Sequence, residues 1–438
     1  MKFQDKLLYS HIAFEELFDV NNPIHDKRLE ALKFFEKKGF PSRKDEAWKY
    51  TSLNSLINRD YALFPKKETP IELKKVKKFF LYEIDTYKII FIDGVYSPFL
   101  SDTTHDGLDV CLISAALSKF KYRKIIERYF GNVADNKDSL TALNTSYTRE
   151  GAYIYVPKNV VAEKPIEIIH FSTGKEQAIW LQPRNLIVLD TNSQVQIIER
   201  HQSLKSHQVV TNSVTEIYTN EDALLDYYKI QNDLTSSSLI DNTYISQEKN
   251  STASVHTFSL GGKLVRNNLN FFHTGQRINS TLKGITILDG DQHVDHYTLV
   301  KHSQPNCESF QEYKGIFSEK SKGVFNGKIF VESIAQKTNA FQQSNNLLLD
   351  DLATVNTKPQ LEIFADDVKC SHGCTIGQLD NDALFYLRSR GVPKKEAKAL
   401  LTYAFANNIL DGVQLPVIKK RIKSLISKKL GVNLGFDL

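Results

Sequence analysis

The chain has 438 residues, of which 41% are hydrophobic and 24% charged, and its formal net charge is +5. The length is sufficient for two or three domains. The composition is typical of a globular protein, and it excludes a disordered chain. The charge is too small to predict a nucleic-acid partner. No apolar run approaches the roughly 20 residues that a membrane-spanning helix needs, so no membrane partner is expected.

The four cysteines are Cys111, Cys307, Cys370 and Cys374. They are too few for a disulfide framework. Charged or polar residues interrupt every apolar run of the first 17 residues, so no signal peptide is predicted. We therefore expect a cytoplasmic protein whose thiols stay free.

Residues 1–150 are predicted to form a domain of mixed helices and strands. The predicted elements are a helix over 28–40 that stops at Gly39, a strand over 88–97 that turns at Asp93-Gly94, and a short helix over 122–131 that ends at a glycine.

Residues 151–377 show strand alternation and almost no helical periodicity. The alternating segments are 195–200, 224–231, 253–260, 280–288 and 327–333. The turns between them recur at a steady interval: Asn192, Asn220 and Asn250 are 28 and 30 positions apart, and Asp291, Ser321 and Asp351 continue at 30. A constant period of strands with polar corners predicts a β-solenoid, whereas a sandwich or jelly roll needs no such period.

Residues 378–438 are predicted to be helical, with helices over 381–392, 393–410 and 416–431. Pro393 is placed at a helix start. The second helix carries an apolar stripe of Ala397, Leu400, Leu401, Ala404 and Phe405. The third helix is amphipathic and rich in lysine, which is typical either of a solvated basic face or of a docking surface for a partner protein.

The segment 366–377, DDVKCSHGCTIG, contains Cys370, His372 and Cys374 in a C-x-H-x-C pattern. On an extended strand these three side chains share one face, and thiolate and imidazole suit iron or zinc. A closed metal site usually has four ligands, and no second ligand pair is in view. The alternatives are a turn at Gly373 flanked by small buried thiols, or a site that a second chain completes.

Other histidines are weaker candidates. His293, Asp295 and His296 could bind a cation, although a polar solenoid corner is more often solvated turn chemistry. His201 and His207 flank a polar loop and are weaker still. The sequence has no phosphate-binding P-loop, no G-x-S-x-G nucleophile motif and no H-E-x-x-H motif.

Three segments carry a family resemblance. The run 367–405 closely resembles the C-terminal signature of the SufD branch of the SufB/SufD family of iron–sulfur cluster assembly proteins. Segment 42–53 resembles that family's arginine–glutamate–tryptophan–threonine motif, and 180–190 resembles the start of its core.

The resemblance implies a mainly β fold: a right-handed parallel β-helix core (151–377), an N-terminal α/β domain (1–150) and a C-terminal α-helical domain (378–438). It implies a non-catalytic scaffold subunit that pairs with SufB and binds the SufC ATPase. The ATP-binding motif would lie in SufC, and SufC would dock on the C-terminal helices.

The resemblance also assigns the site. SufB has a cysteine where this chain has Leu387, which favours the SufD branch. His372 and Cys370 match the residues implicated as candidate iron or cluster ligands at the partner interface, whereas Cys374 departs, since the family more often has alanine there. The isolated chain is expected to hold no cofactor, while the complex would hold iron or a nascent cluster. The alternatives are a homodimer, a SufB-like cluster-carrying subunit and a β-helix carbohydrate-active protein.

Overall fold

The computed structural model describes residues 2–16, 22–63, 71–103, 107–134, 138–174 and 177–431. In the N-terminal region the helices are α1 (Phe3–Glu15), α2 (His25–Lys38), α3 (Asn54–Ile57), α4 (Leu73–Lys77), α5 (Ile113–Ser118), α6 (Phe120–Tyr129) and α7 (Ser139–Ser146), with a 3₁₀ turn at Glu46–Trp48. The strands there are β1 (Ala62–Leu63), β2 (Tyr87–Ile92), β3 (Val95–Tyr96) and β4 (Asp109–Leu112).

The predicted elements of this region are confirmed. Helix α2 ends before Gly39, which takes a positive φ of 68° that suits glycine at a helix end. Strands β2 and β3 form an antiparallel hairpin with positive φ at Asp93 (49°) and Gly94 (77°), as a type I′ turn requires. The boundary at residue 150 stays a prediction, and the sheets continue across it, since β2 pairs with β6 and β4 with β5.

The core is a mainly β parallel solenoid, as predicted. Its strands are β5 (Ala152–Val156), β6 (Ile166–Ser172), β7 (Ile179–Leu181), β8 (Arg184–Leu189), β9 (Gln194–Ser203), β10 (Val209–Thr219), β11 (Leu224–Gln231), β12 (Ser237–Gln247), β13 (Thr252–Ser259), β14 (Leu264–His273), β15 (Asn279–Leu288), β16 (His293–His302), β17 (Glu308–Phe317), β18 (Lys322–Val331), β19 (Asn339–Leu348), β20 (Thr354–Ile363) and β21 (Lys369–Gly377).

Each coil of the solenoid contributes one strand to each of two sheets. One sheet runs β20-β18-β16-β14-β12-β10-β8-β5-β4, and the other runs β21-β19-β17-β15-β13-β11-β9-β6-β2-β3. The pairs from β8 and β6 onward are parallel and in register. Because strand side chains alternate, one side of every strand lines a shared interior, and the resulting core includes Ile168, Ile197, Val255 and Leu282.

The turn series is partly wrong, because it joins two different corners of the solenoid. Asn192 and Asn250 lie before strands of the sheet that ends at β21, and both adopt a positive φ, at 55° and 58°. Asp291 and Ser321 instead lie before strands of the other sheet. The turns at both corners recur at about the same interval, so sequence spacing alone cannot distinguish one corner from the other.

The C-terminal helices are α8 (Asn381–Ser389), α9 (Lys394–Asn407) and α10 (Pro416–Lys429), with a 3₁₀ turn at Asn408–Gly412. Helix α10 buries Ile418, Ile422 and Ile426 against the outer face of the β21-containing sheet. The stripe predicted for α9 is wrong at Ala404, which is exposed, because α9 turns Ala399 and Ala406 inward instead. Within the described ranges, every helix is too short or too polar to cross a membrane.

Candidate functional site

Strand β21 is the last strand of its sheet and has β19 as its neighbour on one side. The amide of Lys369 donates to the carbonyl of Thr338 at 2.8 Å. The alternating pattern of a parallel pair therefore turns the N–H and C=O groups of Cys370, His372 and Cys374 away from β19, toward the open edge. Strand β20 likewise ends the other sheet, so both sheets stop at this coil.

The prediction that Cys370, His372 and Cys374 share one face is confirmed. In the parallel pairing with β19, Cys370 lies beside Ala340 and His372 lies beside Gln342, and both of these β19 residues are buried. Their side chains therefore project toward the interior side of the solenoid, at the coil where the interior ends. The alternative of a turn at Gly373 is wrong, because β21 continues through it.

The three donors differ in exposure. Cys370 is half-buried and packs against the cluster that contains Ile329 and Val331. Burial raises the pKa of the Cys370 thiol, which disfavours the thiolate in the chain alone. His372 and Cys374 are exposed. Among the described residues, Cys370, His372 and Cys374 do not form a group whose ligand atoms all lie within 4.8 Å of one another.

A column of polar side chains lies behind His372 inside the solenoid. Gln342 Nε2 donates to Gln311 Oε1 at 3.2 Å, and Thr298 Oγ1 donates to the same oxygen at 2.8 Å. Gln311, Gln342 and His372 occupy the same register position on successive coils. The open end is therefore polar in the centre, and a polar or charged group can be placed there at a smaller desolvation cost than against an apolar core.

The structure separates the three residues of the weaker candidate site. They lie on strand β16, not on a corner, so His293 and Asp295 point outward while His296 points inward and contacts Thr286 at 2.8 Å. Thr51 Oγ1 lies 2.9 Å from His293 Nε2 and also donates to Asp295.

Asp295 also forms a buried ion pair with Arg266, whose guanidinium lies 4.7 Å from the ring of Trp48. The segment 42–53 therefore docks on the solenoid through Trp48 and Thr51, and the two outward groups of β16 are used in that contact. The arrangement therefore supports a structural role for segment 42–53, rather than a cation site at His293 and Asp295.

Of the weaker histidines, His201 lies in the solenoid interior beside His170 and Glu199. Sequence reasoning missed this group. A signal was present, because His170 and His201 are 31 positions apart, which is one coil, and the two strands pair them directly. His207 does not join the group.

Helix α8 exposes an aromatic pair on the C-terminal side of the open coil. Phe385 is 73% exposed and Tyr386 57% exposed, while Leu387 is half-buried. Helix α8 has no fully buried residue among those described. Exposed aromatic side chains on neighbouring positions are typical of protein interaction sites.

Comparison with known proteins gives matches along nearly the whole chain. The model of the SUF system FeS cluster assembly SufBD core domain matches residues 170–405, and the model of the SufBD protein N-terminal region matches residues 13–168. An iron–sulfur cluster assembly SufBD family protein of Synechocystis is 32% identical over 410 residues, covering 92% of this chain and 90% of that protein. The iron–sulfur cluster assembly protein SufD of Escherichia coli is 30% identical over 423 residues, covering 96% of both chains. SufD of Bacillus subtilis is 28% identical over 320 residues, covering 71% of each.

Proposed function

Because the chain belongs to the SufB/SufD family of iron–sulfur cluster assembly proteins, we propose that it is a non-catalytic scaffold subunit of an assembly complex. In this complex it pairs with a SufB-type subunit and binds a SufC-type ATPase. The nascent cluster is the substrate of the complex rather than a resident cofactor of this chain.

The open end of the solenoid is the observation that carries the proposal. Strands β20 and β21 end their sheets, and unpaired strand edges are favourable surfaces for pairing with another chain. The same coil presents Cys370 and His372 on its interior side. A second chain that covered this coil would enclose both donors.

His372 and Cys370 supply half of a cluster-handling site in this proposal. Two donors on one strand leave two positions of a four-ligand site for the partner. Enclosure would also remove water from the site, and a bound iron would lower the pKa of the Cys370 thiol that burial raises in the chain alone. Cys374 lies two residues after His372 on the same strand and has no assigned role.

The C-terminal helices provide the ATPase surface. The apolar face of helix α10 packs against the solenoid. The ATPase would therefore contact the groups that stay exposed, among them Phe385 and Tyr386 on α8. Helix α8 directly follows β21 in the chain. A movement of α8 on ATP binding would therefore be transmitted to the strand that carries His372.

The experiment is co-expression of this chain with a SufB and a SufC from the same source. The native mass of the purified assembly should account for all three proteins. A chain that elutes alone, or only as a homodimer, in the presence of both partners would contradict the proposal.

His372→Ala in the co-expressed complex tests the site. We expect the same native mass and a cluster-bound iron content reduced roughly tenfold or more, since a lost ligand costs at least as much as a lost supporting contact. The matched control is Ser371→Ala, because Ser371 is exposed on the opposite face of the same strand. Equal iron in both variants would overturn the role of His372.

A further inference from the structure

A group of side chains with the chemistry of metal ligands lies inside the solenoid, far along the sheet from β21. His170 is on β6, and Glu199 and His201 are on the adjacent β9. In the described part of the chain, these residues are the group whose ligand atoms all lie within 4.8 Å of one another. Their side chains are directed into the interior. His170 lies two residues after Ile168, and Glu199 and His201 lie two and four residues after Ile197, so they share the face of these two core residues.

The distances fit ligands around one small cation. His170 Nε2 lies 3.4 Å and His201 Nε2 lies 3.8 Å from Glu199 Oε1. Ligand atoms at bond lengths of about 2.0–2.1 Å around a tetrahedral metal are separated by about 3.3 Å. The two separations between a ring nitrogen and Glu199 Oε1 are therefore within about half an ångström of the distance expected between ligand atoms.

The two ring nitrogens are unsatisfied without a ligand. His201 is only 6% exposed. Across the described residues, neither His170 Nε2 nor His201 Nε2 has a hydrogen-bond partner of regular geometry, and both lie within 3.8 Å of the same carboxylate oxygen of Glu199. A buried polar atom without a partner is costly, and a bound ion is one of the ways in which proteins satisfy it.

The other oxygen of Glu199 is held by the protein. Tyr227 donates its hydroxyl to Glu199 Oε2, and Lys229 Nζ lies 3.9 Å from that oxygen. Lys229 is itself paired with Asp241 at 2.6 Å. Supporting contacts of this kind fix the orientation of a ligating carboxylate. Glu199 Oε1 accepts a long hydrogen bond from Asn185 Nδ2 at 3.4 Å, and a carboxylate oxygen has a further lone pair with which to bind an ion.

A small cavity provides space for a fourth ligand. It has a volume of about 20 Å³ and is lined by His170, His201, Asp233 and Ser237, among others. This is enough for one water molecule. The two imidazole rings stack at 4.6 Å with planes 10° apart, so one ring must rotate toward the cavity for both lone pairs to converge on the ion.

A proton shared by His201 and Glu199 is the competing way to stabilise the group, since His201 Nε2 lies 3.8 Å from Glu199 Oε1. A bound metal ion would displace that proton.

We propose that His170, His201 and Glu199 form an internal binding site for one divalent transition-metal ion, with a water in the adjacent cavity as the fourth ligand. Two imidazoles and one carboxylate suit Zn²⁺ or Fe²⁺. The site is separate from the half-site on β21, and it does not depend on the proposed function.

The test is Co²⁺ binding to the full-length chain, with Co²⁺ as the spectroscopic probe. The background is the triple variant Cys370→Ala, His372→Ala, Cys374→Ala, so that the half-site on β21 does not contribute. The chain is refolded from denaturant with Co²⁺ present, so that burial does not limit access, and is then freed of loose metal. We expect one Co²⁺ per chain, visible d–d absorption bands of a four- or five-coordinate ion, and a higher melting temperature than without Co²⁺.

Three further variants decide the assignment. Glu199→Gln and His201→Gln in the same background should lose the bound Co²⁺. His302→Gln is the matched control, because His302 and His273 form another interior histidine pair, with Nδ1 atoms 3.1 Å apart, that lies outside the group. It should keep one Co²⁺ per chain.

Two results would overturn the proposal. The first is a folded background chain, judged by circular dichroism, that retains no Co²⁺. The second is a folded Glu199→Gln or His201→Gln chain that retains the full amount with an unchanged spectrum. In either case the group is a hydrogen-bonded ionic network that shares a proton.

Discussion

In the first coils of the solenoid, inward-pointing polar side chains are enclosed on every side, so His201 and Glu199 are almost fully buried. In the last coil the same strand alternation leaves His372 and Cys374 exposed, because β21 is the final strand of its sheet in the described part of the chain. One sequence pattern thus gives an interior ionic group at one end and exposed donor side chains at the other. Position along the stack, and not residue type, decides whether a histidine here is enclosed by the chain or exposed.

The largest expected effect concerns the open edge. Cys374→Pro removes an edge N–H without removing a hydrogen bond to β19, and proline is tolerated in edge strands. We expect a folded chain that no longer co-purifies with the SufB-type subunit, as read from the native mass. Cys374→Ser keeps the N–H and should associate normally. Association of the proline variant at wild-type level would show that the edge of β21 is not the pairing surface.

The next effect compares ion pairs at the two ends. Arg184 and Glu216 form a fully buried pair under the N-terminal helices, so Arg184→Ala leaves a buried carboxylate unpaired and should lower the free energy of unfolding by about 3–5 kcal/mol. Lys328 and Glu362 pair at 2.6 Å near the open end with side chains 26% and 40% exposed. Lys328→Ala should cost about 0–1 kcal/mol. Urea unfolding of the two variants measures both, and equal losses would contradict the contrast between the ends.

A smaller effect is expected at α8. The double variant Phe385→Ala, Tyr386→Ala should weaken binding of the SufC-type ATPase by about 10–100-fold, which is typical for loss of aromatic anchors. Titration calorimetry gives the dissociation constant. The control is Phe120→Ala, since Phe120 is 83% exposed on α6 of the N-terminal region. If both variants bind equally, the aromatic pair lies outside the docking surface.

The smallest expected effect is on the pH dependence of stability, and it comes from histidines buried in the enclosed coils. Burial lowers the pKa of His296 to about 4 and of His302 to about 3. The unfolded chain binds these protons near pH 6.5, so the folded state loses stability as the pH falls from about 6.5 toward these values. His302→Gln should reduce the slope of unfolding free energy against pH by up to about 1.4 kcal/mol per pH unit below pH 6. Urea unfolding at pH 7, 6 and 5 tests this, and an unchanged slope would show that His302 is protonated in the fold.

The sequence predicted the elements that depend on local pattern. Alternation predicted strands such as β11 and β15. Gly39 marked the end of α2, and Asp93-Gly94 marked the turn between β2 and β3, because few other residues accept a positive φ. It also placed Cys370, His372 and Cys374 on one face. It could not predict contacts between distant segments, such as that of Thr51 with His293, because no local spacing encodes them.

Hydrogen–deuterium exchange across β21 tests the central claim most directly, namely that the open coil is completed by a partner chain. In the chain alone, the edge amides of Cys370, His372 and Cys374 should exchange quickly, and in the co-expressed complex they should be protected. Peptides from β11 and β13 are the internal reference and should exchange equally in both samples. A complex of the expected mass in which residues 369–377 exchange as fast as in the chain alone would contradict the account.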